Sequence, residues 1–237
     1  MLHTGREGAL FAPRRGNCVA TVTIAGRAAL SETIVAMVQA DGTAAAAWPN
    51  ALIGPAVALR DLADAVHTLC ALHATAPGIV DLARHANGAQ PIHDALDAAA
   101  DAFADERAAL VALTAAVGPL PSTPGQAECE AAVLAQRHAL TMLARSDRTG
   151  CAIGAAAAFL LDWRGIRRIL DIATVRAGVE QRADTMPRAE DVTALLVDLA
   201  PSPATERAIA FGVQQLLAQH RGVWQLLDAR ASARRDR

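Results

Sequence analysis

An aspartate occupies a position where the surrounding pattern asks for an apolar residue. In the stretch ARSDRTGCAIGAAAAFLLDWRGIRRILD (Ala144–Asp171), helical steps of about 100° gather Ala155, Ala158, Phe159, Asp162, Ile166, Ile169 and Ala173 on one face. Arg164, Arg167, Arg168 and Asp171 take the other. An ionised carboxylate inside an apolar stripe is costly unless donors or a cation satisfy it, so Asp162 needs a partner. The preceding helix folds back as one arm of a hairpin and offers Arg137 or His138. Such a bond could do no more than fix helix register. It could also belong to a polar pocket that holds a small anionic ligand or a metal, or that performs acid–base chemistry.

Other polar residues fall on inward faces. Glu106 and Arg107 flank the stripe of Leu96, Ala99, Phe103, Leu110 and Thr114. His73 shares a face with Leu59, Leu62, Val66 and Leu69, and His220 lies between Leu216 and Val223 in the stripe that begins at Ile209. Arg137, His138 and Arg145 form one polar face with Glu130 and Thr141. The candidate site is therefore Asp162, Glu106, His73, His220, Arg137, His138 and Arg145. Convergence of these groups in one cavity would mark a site, whereas separate pairing with neighbouring helices would mark structure.

Metal chemistry is weakly signalled. His67-x-x-Cys70-x-x-His73 drifts by about 60° per step, so its two histidines diverge on the helix surface, with His67 pointing outward near Asp64. The Asp97, Asp101 and Asp105 series reads as a solvated face. A ferritin-like centre wants Glu-x-x-His on two helices, and only Asp64-x-x-His67 comes near. No metal and no cofactor is expected.

Composition removes several classes. The chain has no lysine, which excludes Schiff-base chemistry on lysine and a Walker-type phosphate loop. Neither a Gly-x-Ser-x-Gly elbow nor a dinucleotide fingerprint is present. A net charge of −2 and 3% aromatic residues argue against a nucleic-acid surface. Cys18, Cys70, Cys129 and Cys151 show no CxxC spacing, which suits free thiols in the cytoplasm. The first 27 residues carry Arg6, Arg14, Arg15 and Arg27 without an apolar core between them, unlike a secretory signal. No run reaches the roughly 20 apolar residues of a membrane span.

The elements that must position these residues are helical. The pattern predicts an irregular arm over 1–27, in which Cys18–Ile24 has some β character. An all-α bundle follows over 28–229, and a basic flexible tail over 230–237. The bundle is expected to hold about six to seven helices around the central antiparallel hairpin, with Ser146 or Asp147 capping its second helix. Trp48-Pro49-Asn50 reads as a turn, Gly118–Gly125 as a loop, and Ser202-Pro203 as the cap and first residue of the last helix. The stretch Ala144–Asp171 resembles a group of uncharacterised helical proteins of sphingomonad-type alphaproteobacteria, with the likeness running over residues 57–230. That group has no assigned activity, so the resemblance implies a lineage and no mechanism. The expected role is structural, interactive with a protein partner or a second copy, or small-ligand binding, ahead of catalysis.

Overall fold

The computed structural model describes residues 18–86, 90–199 and 202–236. Among them the chain is helical without a strand: α1 (Cys18–Asp41), a 3-10 turn (Thr43–Ala45), α2 (Ala47–Leu52), α3 (Leu59–His73), α4 (Ile79–Ala83), α5 (Gln90–Ala116), α6 (Gln126–Ala144), α7 (Cys151–Arg176), α8 (Ala189–Leu199) and α9 (Pro203–Arg235). The count exceeds expectation because short helices form where turn residues cluster. In α2, Pro49 sits in the first turn, where its missing N–H costs nothing. The expected arm lies outside the described residues as far as residue 17. From Cys18 the chain is already helix, so the β-branched run Cys18–Ile24 opens α1. A lone strand would leave its backbone groups unpaired, whereas a helix satisfies its own.

One helix organises the rest. Every residue of α7 from Cys151 to Trp163 is buried, and α7 touches every other helix and the 3-10 turn. Alanines and glycines make this possible, because a thin helix lets neighbours close in from all sides. The principal partner is α9, not the α6 arm of the expected hairpin. A Cβ on Gly154 would lie 2.4 Å from the Ile209 carbonyl oxygen, and one on Gly212 would lie 2.1 Å from that of Cys151. Both distances are shorter than atoms tolerate, so the α7–α9 contact is backbone against backbone and requires glycine on each side. The small-residue run thus serves the close approach read from it, toward a different neighbour.

The helix ends follow local chemistry. Ser202 accepts from the Thr205 N–H at 3.2 Å and Pro203 opens α9, as expected. At α7 neither Ser146 nor Asp147 caps; Gly150 stands at the N-cap with φ 95°. The 3-10 turn follows α1 directly and brings Thr43 against α7, one face of which passes the turn at Gly165. No helix among the described residues is long and apolar enough to cross a membrane.

Candidate functional site

Asp162 is buried, 3% exposed, and its partners come from α9 and the 3-10 turn. The Thr43 N–H donates to Oδ1 at 2.6 Å, the Thr43 hydroxyl to Oδ2 at 2.7 Å, and His220 Nδ1–H to Oδ2 at 2.6 Å. Trp224, one turn beyond His220, donates its indole N–H to the Thr43 oxygen at 3.0 Å. This corrects the expected bond to Arg137 or His138. The stripe bearing Asp162 faces α9, so the fold-back partner on α6 never reaches it.

His220 presses edge-on against His73, with ring centroids 5.2 Å apart at 75°. His73 also meets Phe159 at 5.2 Å and Trp163 at 5.6 Å. Trp163 in turn donates to Glu106 Oε2 at 3.0 Å, and Arg167 holds the other carboxylate oxygen. Four of the seven candidates, Asp162, His220, His73 and Glu106, therefore belong to one buried chain of contacts that also includes Thr43, Trp163 and Trp224. Nε2 of His73 and Nε2 of His220 are both buried without a hydrogen-bond partner. Buried polar atoms are rarely left so, which marks the pair as the polar focus of the core.

Arg137 joins this focus from the outside. It is half-buried and lines the same cavity of about 200 Å³ as His73, with Thr75 and Thr141 beside it and Phe103 and Phe159 as apolar walls. Its contact with the Thr75 hydroxyl is long, 3.5 Å, and among the described residues no carboxylate pairs with it. His138 and Arg145 are exposed and lie outside the cavity, a second correction. Arg107 is engaged elsewhere, by Asp81 at 2.7 Å. A larger cavity of about 330 Å³ opens between α3, α6 and α9, and Arg137 reaches it too, but the other basic groups of its lining are committed. His67 Nε2–H donates to the Gly118 carbonyl at 2.8 Å, and Arg230 is held by Asp64.

Two buried groups of this chain of contacts, His73 and Asp162, are sensitive to acid. Burial, and then the neighbouring His220, hold the His73 pKa well below its ordinary 6.5. Burial alone would raise that of Asp162, but the bond and charge of His220 and the two bonds from Thr43 prevail, leaving it below 3.8. A folded state with depressed pKa values binds fewer protons than the unfolded chain, so each group stabilises above its unfolded pKa and loses that contribution as pH falls. Unfolding free energy is expected to decline below 6.5 through His73 and again below 3.8 through Asp162. Urea titrations across the acid range measure it, and His73→Leu should abolish the first decline while retaining the second.

A second buried charge cluster was missed at the sequence level. Asp64, read as facing out, is fully buried: Arg230 bonds it through Nε and Nη2 at 2.9–3.1 Å, and Arg234 Nη1 at 2.5 Å. Arg234 also reaches Asp61 at 2.8 Å. Residues 230–235 of the expected flexible tail are thus the end of α9. A signal existed, since Asp61 and Asp64 stand three apart and Arg230 and Arg234 four apart, the spacings that share a helix face.

The metal reading finds no support in this geometry, because no three His, Cys, Asp or Glu side chains among the described residues converge to hold an ion. Asp97, Asp101 and Asp105 are exposed along α5. The model of a family of unknown function (DUF6975) matches residues 38–235. The chain belongs to that family. The DUF6975 region takes in Thr43, the Asp162–His220–His73 chain, Arg137 and the Asp64 cluster. Curated proteins and solved structures yield no match.

Proposed function

We propose that this chain is a small-ligand-binding helical bundle and that the cavity beside His73 receives an amphipathic organic anion. One observation carries the reading: a buried imidazole with an unbonded Nε2 lines a cavity that also presents an arginine with no carboxylate partner. Phe103 and Phe159 supply an apolar wall, Arg137 a counter-charge, and His73 and Thr75 hydrogen bonds, the Thr141 hydroxyl being spent on the Arg137 carbonyl. That combination of apolar walls and a few convergent polar groups is what small-molecule sites require. Asp162 and Thr43 act from behind, holding His220 and through it the wall that His73 forms. On this reading the protein works in the cytoplasm of a sphingomonad-type bacterium, and the free thiols of Cys70, Cys129 and Cys151 suit a reducing compartment.

A catalytic reading rests on the Asp162–His220 pair, in which a carboxylate accepts from Nδ1–H and leaves Nε2 unbonded, as in acid–base dyads. His220 does not line the cavity, however, and His73 stands between. Binding is therefore favoured over turnover. Calorimetric titration and thermal melts with benzoate and hexanoate test it, with benzyl alcohol as the uncharged control. The anions should bind and raise the melting temperature by mass action, Arg137→Gln should remove the preference for charge, and His73→Leu should weaken binding of every probe. Anions that bind no better than benzyl alcohol, or equally well to Arg137→Gln, would refute the assignment.

A further inference from the structure

The outer face of α6 is broadly uncovered. Of the 19 residues of α6 only Leu140 and Ala144 are buried. Ala127, Ala131, Leu134, Ala135, His138, Met142 and the C-cap residue Arg145 are all exposed, and they fall within a sector of roughly 100°. Leu134 is 56% and Met142 57% exposed, among the highest values for large apolar residues in the chain. Alanines on such a stripe let a second helix come within the roughly 8–10 Å of close helix packing.

Charge specifies which helix that is. Glu128 borders the stripe near its N-terminal end and Arg145 lies on it at the C-terminal end, and among the described residues neither pairs with an opposite charge. A parallel copy would set like charges side by side. An antiparallel copy sets Glu128 against Arg145 of the second copy, twice by symmetry, and in the same register sets Met142 against Ala131, large against small. We infer that α6 is a self-complementary dimerisation helix, packing antiparallel on α6 of a second copy of this chain about a twofold axis near Gln136 and Arg137. The pairing is isologous, the arrangement most homodimers adopt. It also accounts for His138 and Arg145, which lie outside the buried network and on this face. The inference does not rest on ligand binding at His73.

Sedimentation velocity of the full chain over a concentration series tests it. A single helix pair is a small interface, so a monomer–dimer equilibrium with Kd of about micromolar is expected. Leu134→Asp with Met142→Asp should give one-chain mass throughout. Glu128→Arg alone and Arg145→Glu alone should each weaken the dimer roughly tenfold, through like charges brought together. The two combined should restore it, because the swap recreates both pairs. All four positions are exposed, so the variants keep the fold, which circular dichroism verifies. One-chain mass for the unaltered protein, a dimer indifferent to Leu134→Asp with Met142→Asp, or a combined swap as weak as the single reversals would each overturn the inference.

Discussion

Asp162→Ala is expected to lower the unfolding free energy by about 3–5 kcal/mol, the usual cost of removing one member of a buried, hydrogen-bonded charged group. For a chain of this size that corresponds to a melting temperature lower by on the order of 10 °C. The loss has identifiable parts. The Thr43 N–H, the Thr43 hydroxyl and His220 Nδ1–H all lose their acceptor, and each buried donor left unmade costs about 1–3 kcal/mol. Asp162→Asn separates charge from shape. Its amide oxygen can still accept from the Thr43 N–H, so about half the loss should remain. Urea denaturation of the two variants beside the parent measures both. A change under about 1 kcal/mol for Asp162→Ala would mean that the carboxylate is held at a cost in stability, as a functional group is.

That position shows how far the sequence could be read. A carboxylate in an apolar stripe announces itself, and so does a histidine in the stripe of the last helix; periodicity was enough to bury Asp162, His73, His220 and Glu106. Periodicity says which face turns inward but not which helix that face meets. Periodicity alone therefore points Asp162 to α6, its neighbour in the chain, whereas the glycine contacts at Gly154 and Gly212 seat α7 on α9. Thr43 was invisible for a similar reason. Nothing in Asp41-Gly42-Thr43 beyond a helix stop indicates that the 3-10 turn will deliver a hydroxyl and an N–H to a carboxylate 119 residues away. On α6 the polar face splits: Arg137 and Thr141 reach the cavity, whereas His138 and Arg145 face outward.

The C-terminal arginines carry the same lesson into a prediction. Removing residues 230–237 would be harmless if they were a solvated tail. In the structure, Arg230 and Arg234 are each 5% exposed as side chains and between them neutralise Asp64, which is 1% exposed. Arg234 also bonds the Thr123 hydroxyl at 2.9 Å, and Arg230 the Gln126 amide oxygen at 3.0 Å. The α9 end thereby pins α3, the connection before α6, and α6 itself. Ending the chain after Ala229 strands Asp64, and Asp64→Ala strands two guanidiniums, so each change should cost about 3–5 kcal/mol. Two controls separate a buried cluster from surface attraction. The loss should persist in about 1 M NaCl, because buried pairs are little screened. Arg235→Ala, whose partner is the nearby Ser232 hydroxyl at 2.8 Å, should be close to neutral. If the shortened chain melted with the full one, the cluster would contribute nothing net. Its desolvation cost would then balance its attraction, and the arginines would fix where α9 docks without deciding how firmly.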